Sequence, residues 1–240
     1  MRDPDPSRPL GAPVPDWTPP PAPAGAVLEG RYVRLEPLSA EAHAEPLHRA
    51  YAGHDALWDY MPYGPFASAQ DYGDWIAATV ADKAHLFYAI RDLETGDWGG
   101  VASYLRIAPA AGSIEVGNIN YAPALQRSRA ATETMALMMD WAFEAGYRRY
   151  EWKCNALNRP SRIAAQRLGF SYEGIFRQMM VVKGRNRDTA WFAIIDSEWP
   201  ALQAAYHAWL DPANFDADGR QRQRLSELTR PLLAATDPAL

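Results

Sequence analysis

The stretch from Glu115 to Phe170 decides the fold, and it reads EVGNINYAPALQRSRAATETMALMMDWAFEAGYRRYEWKCNALNRPSRIAAQRLGF. Its apolar pattern predicts a strand, a polar loop, a helix, a second strand and a second helix. The loop at 126–131 directly precedes the first helix, so its backbone N–H groups lack partners inside that helix. A helix start beside a strand that can separate from its neighbour favours binding of a pyrophosphate.

The flanking sequence extends this pattern in both directions. Alternating apolar residues predict strands over 31–35, 86–91, 99–107, 113–121, 147–155, 172–182 and 189–196. Apolar spacing and capping residues predict helices over 40–52, 69–82, 132–145, 159–168, 198–210 and part of 221–233. Strands with helices between them and a late hairpin predict one α/β domain, with a mixed sheet of about seven strands and helices on both faces.

Composition sets the two ends of the chain apart. Nine of the 20 prolines lie within 4–23. Because proline fixes φ and lacks an N–H donor, residues 1–25 are expected to form an extended arm or a disordered tail, with Trp17 as the anchor of an arm. The domain is expected to fill 26–211, and a partly helical tail 212–240. Both extensions could embrace a second copy in a homodimer.

Bulk composition argues against several classes of protein. The formal net charge of 24 − 29 = −5 disfavours a nucleic-acid partner. No apolar run approaches the roughly 20 residues of a membrane helix, and no secretory signal is evident, which predicts a cytoplasmic protein without a membrane partner. The single cysteine, Cys154, excludes an internal disulfide and is expected to be a buried, inert thiol. The five histidines show no metal-ligand spacing, so no metal is expected.

Four motifs in the middle of the chain resemble a known family. They are Glu115-Val116-Gly117, Gln126–Ala131, Asn158-Arg159-Pro160-Ser161, and Leu168-Gly169-Phe170 with Glu173-Gly174. From about Gly30 to Trp199 the chain resembles the GNAT superfamily of acetyl-CoA-dependent N-acetyltransferases, within it the branch of the ribosomal-protein N-terminal acetyltransferases. The resemblance implies splayed fourth and fifth strands. It also implies that an acetyl group moves from acetyl-CoA to a primary amine by direct attack in a ternary complex.

The resemblance implies roles for individual residues. Glu115 is the candidate base, acting directly or through water, and Ser161 is the candidate acid that protonates the departing thiolate. The structural alternatives are a solvent-facing strand glutamate paired with an arginine and a helix-capping serine. Asn158 would bond the pantetheine arm or the strand edge, or it would cap a helix. The residues expected to hold acetyl-CoA are Tyr121, Ala122, Gln126, Arg127, Ser128, Arg129, Ala130, Ala131, Asn158 and Ser161.

The loop at 126–131 departs from the family's glycine pattern. Arg129 and Ala131 stand where the family usually has glycine or another small residue, and glycine there lets the backbone approach a phosphate. Arg129 either takes a helical conformation, which tolerates a side chain, or shifts the cofactor slightly. Arg127 and Arg129 are expected to add charge-assisted contacts to the pyrophosphate.

The acceptor amine is expected opposite the cofactor, between the first helices and the late hairpin. The candidate contacts are Trp58, Tyr60, Tyr63, Phe66 and Asp188, and the hairpin also supplies Arg187 and Trp191 to this wall. An aromatic pocket with a carboxylate suits a cationic amine. Core packing of Trp58 and Phe66 and pairing of Asp188 within the hairpin are the alternatives. A different acyl group, a polyamine or antibiotic acceptor, and a non-catalytic acyl-CoA-binding protein also remain open.

Overall fold

The computed structural model describes residues 10–240, so residues 1–9 of the expected arm lie outside the described residues. The strands are β1 Leu28–Glu29, β2 Val33–Pro37, β3 His85–Asp92, β4 Trp98–Ala108, β5 Ser113–Tyr121, β6 Arg149–Asn155, β7 Ser171–Val182 and β8 Arg185–Ile195. The α-helices are α1 Ala40–Tyr51, α2 Ala69–Ala81, α3 Arg129–Glu144, α4 Arg159–Arg167, α5 Trp199–Leu210 and α6 Leu225–Thr229.

The described strands form one mixed sheet in the order β1-β2-β3-β4-β5-β6-β8-β7. Strands β5 and β6 are parallel, and all the other neighbours are antiparallel. The predicted α/β architecture is confirmed, but the expected number of about seven strands is wrong, because the sheet has eight. The strand that was missed is β1, which is too short to show an alternating pattern.

Most predicted boundaries agree with the structure to within about two residues, but two differ by more. Helix α3 begins at Arg129 rather than at 132, because Ser128 caps it by accepting a hydrogen bond from the N–H of Ala131 at 2.9 Å. Strand β8 begins at Arg185 rather than at 189, because it pairs with β7 back to the turn that joins them. The residues at the start of β8 are charged, so apolar alternation does not predict this part of the strand.

Two apolar layers cover the sheet. Ile114 and Val116 of β5 belong to the larger core cluster, together with Met135 and Met138 of α3. On the other face, Val101 of β4 packs in a second cluster with residues of α1 and α2. Because successive side chains of a strand point to opposite faces, Glu115 lies on the α1 and α2 side of the sheet.

Strands β5 and β6 separate in the middle of the sheet. Their pairing ends where Val116 lies opposite Trp152, although β5 continues to Tyr121 and β6 to Asn155. The pairing of β5 with β4 is also irregular here, and Asn118 has a φ of 51°. From Gly117 onward, the backbone groups of β5 that point toward β6 have no partner in that strand, so a gap opens beside the end of each strand.

The described part of the arm contacts its own domain. The guanidinium of Arg148 lies 5.7 Å from the ring centroid of Trp17, and the hydroxyl of Tyr147 donates to the carbonyl of Pro21 at 3.1 Å. The domain limits at 25 and 211 and the homodimer stay predictions. No helix within residues 10–240 has the length and apolar character needed to cross a membrane.

Candidate active site

The Glu115 carboxylate is buried and held by two cations. Its side chain is only 3% exposed, and its two oxygens accept hydrogen bonds from Nη1 of Arg106 at 2.7 and 2.8 Å. The Nζ atom of Lys153 lies 2.8 Å from Oε2. Pairing with an arginine is therefore present, but the solvent exposure expected with it is not. A carboxylate has about four lone-pair positions, so these three contacts leave room for about one more donor.

Lys153 connects Glu115 to a second carboxylate. Its Nζ atom lies 2.7 Å from Oε2 of Glu151, which is directly opposite Glu115 in the paired part of β5 and β6. Arg149 donates to Glu151 at 2.6 Å and to Glu173 at 2.7 Å. Burial favours a higher pKa for Glu151, but hydrogen bonds from Lys153 and Arg149 outweigh it, and the pKa is lowered. Glu151 therefore stays ionised between its two cations.

Ser161 lies at the start of α4, beside the end of β6. Its Oγ atom accepts a hydrogen bond from Nε1 of Trp152 at 3.1 Å. Burial raises the pKa of the neighbouring Cys154 thiol, and a hydrogen bond with Ser161 partly opposes that shift. The expected buried thiol is confirmed. Since the hydroxyl oxygen of Ser161 is held by Trp152, its hydrogen is left to point toward another acceptor.

Asn158 caps α4. Its Oδ1 atom accepts a hydrogen bond from the N–H of Ser161 at 3.2 Å, which is the capping alternative. The cap aligns the first turn of α4 with the end of β6, and Pro160 at the helix start needs no N–H partner. A contact with a pantetheine arm stays a prediction.

The loop at 126–131 presents backbone donors at the start of α3. Among the described residues, the N–H groups of Arg127, Arg129 and Ala130 donate to no protein acceptor. Arg127 is exposed and has a φ of 63°, a left-handed conformation that is unusual outside glycine. The side chain of Gln126 donates to the carbonyl of Tyr121 at 2.8 Å, which ties the loop to the end of β5. The loop therefore supplies the unpaired amides that a pyrophosphate needs.

Arg129 takes the helical conformation, the first of the two expected alternatives. Its guanidinium pairs with Glu94 and stacks over the rings of Tyr32 and Phe215, with Cζ 4.8 and 4.9 Å from the ring centroids. The side chain is thus held by groups outside the loop, and the expected charge-assisted contact with a pyrophosphate has no support from this arrangement. The backbone N–H of Arg129, at the first position of α3, still has no protein acceptor among the described residues.

Tyr121 and Ala122 end β5 next to this loop. Burial raises the pKa of the Tyr121 phenol far above its usual range, so this side chain stays protonated. The N–H of Ala122 donates to the carbonyl of Gly99 at 2.8 Å and is therefore not free to stabilise an oxyanion.

The aromatic acceptor candidates differ in how accessible they are. Trp58 is 3% exposed and packs edge-to-face on Tyr51 and Phe66, so core packing describes it and a direct acceptor contact has no support. Phe66 is half-buried in the same cluster. Tyr63 donates to Oδ1 of Asn118 at 3.3 Å, next to the gap in the sheet. Tyr60 is exposed, and its hydroxyl donates to the carbonyl of Leu157 at 3.2 Å, beside the start of α4.

Asp188 stabilises the hairpin of β7 and β8. Its Oδ1 atom accepts hydrogen bonds from the N–H of Gln178 at 2.7 Å and from Nδ2 of Asn186 at 3.0 Å, which lower its pKa. Pairing within the hairpin, the structural alternative, is therefore present. Alternation along β8 also places Asp188 on the face opposite Glu115, so a contact with an acceptor amine has no support from this position.

Sequence reasoning assigned no role to Arg106 or Lys153. Arg106 lies on β4 and Lys153 on β6, on the two sides of Glu115. The only local signal was a charged residue within an apolar strand, which is typical of a buried ion pair or of a site. The register that brings Arg106 and Lys153 to one carboxylate is a property of the folded sheet.

Within residues 10–240, no group of histidine, cysteine or carboxylate side chains is placed to bind a metal ion.

Comparisons with known proteins agree with this geometry. A family model described as an acetyltransferase (GNAT) domain matches residues 33–171. A GCN5-related N-acetyltransferase from Brucella melitensis is 46% identical, with a TM-score of 0.88 over 90% of this chain and 99% of that chain. A probable GNAT-family acetyltransferase from Chromobacterium violaceum ATCC 12472 is 41% identical, with a TM-score of 0.76 over 82% of this chain and 100% of that chain.

A more distant structure shares the fold alone. The microcin C7 self-immunity acetyltransferase MccE, solved with acetyl-CoA and AMP, is 19% identical, with a TM-score of 0.62 over 69% of this chain and 93% of that chain. None of the curated proteins compared with the chain matches it. The matched family model spans more than half of the chain and includes the gap between β5 and β6. The protein is therefore an acetyltransferase of the GNAT family.

Proposed function

We propose that this enzyme transfers an acetyl group from acetyl-CoA to a primary amine by direct attack in a ternary complex. The observation that carries the proposal is the gap between β5 and β6, which opens after Val116 and Trp152. Glu115 lies on β5 beside this gap, and Ser161 lies at the helix start that follows β6. A thioester in the gap would thus have a proton acceptor on one side and a proton donor on the other.

The donor half of the site fits the diphosphate of coenzyme A. Three amides without protein acceptors, those of Arg127, Arg129 and Ala130, lie at the positive end of the α3 dipole. The exposed side chain of Arg127 can add a charge-assisted hydrogen bond, while Arg129 stays with Glu94. Acetyl-CoA would supply the activated acetyl group.

Glu115 is proposed as the acceptor of the amine's proton. Its cations Arg106 and Lys153 fix both oxygens, and the remaining lone-pair position would accept a hydrogen bond from the amine or from a bridging water. An ammonium that enters this site loses its proton before it can attack, because only the neutral amine is a nucleophile. Holding the carboxylate in one orientation lowers the cost of that step.

Ser161 is proposed as the donor to the departing thiolate. A hydroxyl has one hydrogen, and because Trp152 donates to the oxygen of Ser161, this hydrogen can donate either to the neighbouring Cys154 sulfur or to the thiolate of coenzyme A. The positive end of the α4 dipole also lies at this point and favours negative charge, although the first N–H groups of the helix are already paired or, at Pro160, absent. The thiolate can therefore receive a proton without moving away from the helix.

A binding measurement and an activity measurement test this proposal together. Acetyl-CoA at about 100 times its dissociation constant is expected to stabilise the protein by about 2.7 kcal/mol, which raises the melting temperature. Thiol release with a panel of amines and peptides then tests transfer. Adenosine at the same concentration is the control without a diphosphate. An unchanged melting temperature would count against the donor site. Binding without transfer to any amine would favour the non-catalytic alternative.

A further inference from the structure

Three buried polar groups on β8 have no partner among the described residues. They are Nε of Arg187, Oγ1 of Thr189 and Nε1 of Trp191. Because these residues alternate along one strand, their side chains share one face of the sheet. A buried donor without an acceptor costs about 1–3 kcal/mol, and such groups are few in folded proteins. Three such groups at alternate positions on one face therefore indicate a place where a ligand supplies the missing acceptor.

The pairing of β6 with β8 locates this group beside the proposed catalytic residues. Trp191 lies opposite Lys153, and Thr189 lies opposite Asn155 at the end of β6. The Nζ atom of Lys153 lies 3.7 Å from the ring centroid of Trp191. Opposed residues of an antiparallel pair lie on the same face, so the three groups lie on the face of Glu115, where an acceptor amine would meet its base.

Of the cations in residues 10–240 on this face, the partly buried Arg187 has no carboxylate partner, and neither has the exposed Arg185 at the start of β8. The ion pairs run in a chain through Arg106, Glu115, Lys153, Glu151, Arg149 and Glu173, with three cations and three carboxylates. Arg187 forms no ion pair with any residue in 10–240. Burial lowers its pKa, and nearby Arg106 lowers it further, while Cys154 and Glu115 oppose the shift. The guanidinium keeps its charge over the working pH range.

We propose that Arg187, Thr189 and Trp191 bind a carboxylate of the acceptor, so that the substrate is an amine that also carries a carboxylate. This inference rests on the proposed transfer to an amine. The indole and guanidinium groups only donate hydrogen bonds, so their partner must be an acceptor. A planar carboxylate matches the guanidinium geometry. The partly buried charge of Arg187 balances a carboxylate but only half of a phosphate dianion.

Matched acceptors test the proposal directly. The probes are amino acids and dipeptides, each paired with its C-terminal amide, which keeps the amine and removes the negative charge. We expect the free carboxylates to be acetylated with kcat/KM at least about tenfold higher than their amides, as charge-assisted hydrogen bonds require. Equal use of both series, or a preference for the amides, would overturn the proposal.

Variants assign the preference to the residues named. Arg187→Gln is expected to raise KM for the carboxylates about tenfold or more and to leave the amides nearly unchanged, so the preference is lost. Thr189→Val removes only the hydroxyl and is expected to reduce the preference severalfold. Arg185→Gln, at an exposed position of the same hairpin, is the control that keeps it. Because Nε of Arg187 has no acceptor among residues 10–240, its replacement is expected not to lower the melting temperature.

The two proposals fail in different ways. If acetyl-CoA raises the melting temperature but neither series is acetylated, the carboxylate proposal is wrong and the donor site stands. If amines that lack a carboxylate are acetylated as fast as the acids, the proposed acetyl transfer to an amine is supported, and the proposed role of Arg187 is wrong. A preference for carboxylates that persists in both Arg187→Gln and Thr189→Val would also overturn the assignment.

Discussion

Arg127 and Arg129 are close in sequence but have different environments. Arg127 projects from the loop with a φ of 63°, whereas Arg129 is held by Glu94 and two aromatic rings. A non-glycine residue in the left-handed region costs on the order of 1 kcal/mol. Keeping an arginine in that conformation is understandable if its charge serves the diphosphate.

This difference leads to a paired prediction. Arg127→Gly relieves the backbone strain, so the free energy of unfolding should stay the same or rise by up to about 1 kcal/mol. Its KM for acetyl-CoA should nevertheless rise about tenfold, because a charge-assisted contact is lost. Arg129→Gln should leave that KM nearly unchanged and lower stability instead. Steady-state kinetics with urea unfolding measures both effects, and equal KM values for the two variants would contradict the assignment.

The proposed role of Glu115 as the base can be tested by removing its charge. Glu115→Gln keeps the side-chain volume but removes the base, so kcat should fall about 10²- to 10⁴-fold while acetyl-CoA still raises the melting temperature. Glu173→Gln, at the exposed end of the ion-pair chain, is the control and should keep kcat. A Glu115→Gln enzyme with normal kcat would show that the carboxylate only orders Arg106 and Lys153.

Helix α4 is the element that the last residues of the chain hold in place. Arg162 donates from Nε to Asp237 at 2.7 Å, and the Asp237 side chain is fully buried. The N–H of Asp237 donates to Gln166, and Thr229 donates to the carbonyl of Arg167. Since α4 begins with Asn158 and carries Ser161, the segment after α5 fixes the helix on which the proposed acid lies.

Breaking this buried pair should therefore affect both stability and substrate binding. Asp237→Asn leaves Arg162 buried without a counter-charge, which should lower the free energy of unfolding by about 3–5 kcal/mol. The KM for acetyl-CoA should rise, since the start of α4 loses its support. Replacing both partners, Arg162→Met with Asp237→Leu, should recover much of the stability. Urea unfolding of the three variants tests the cycle, and an unchanged single variant would show that the pair is not needed.

At the scale of the whole molecule, local patterns predicted most of the elements, and long-range register determined the site. Ser39 and Ser68 cap α1 and α2, and capping of this kind depends on neighbouring residues alone. The ion pairs around Glu115 depend on which residues of β4 and β6 lie beside β5, and no local pattern encodes that. Trp58 is a second example. It lies in a loop rich in Gly and Pro, and its burial depends on packing against Tyr72 of α2, which the local sequence does not encode.

The dependence of folding on pH is a property of the whole molecule, to which His43 and Glu151 should contribute in separate pH ranges. His43 is 2% exposed, lies 4.4 Å from Trp98 in an edge-to-face contact, and accepts a hydrogen bond from the N–H of Ser39 at 3.0 Å. Burial lowers its pKa below 6.5, with Glu36 opposing the shift. Because the unfolded chain binds this proton first, the stabilisation is complete above about pH 6.5 and is lost as pH falls toward the folded pKa.

Glu151 should cause a second loss of stability, at a lower pH. Its folded pKa lies below 4.5, so its contribution is complete above that value and disappears as pH falls through the folded pKa. Urea unfolding at a series of pH values from 8 to 3.5 should therefore show two separate losses of stability. His43→Gln should flatten the first loss and Glu151→Gln should reduce the second, to which Asp188 also contributes, while the exposed His54→Gln serves as the control. Because a protonated imidazole cannot accept from Ser39, the first loss should also weaken the start of α1. A His43→Gln profile that still falls between pH 6.5 and 5 would assign that loss to another group.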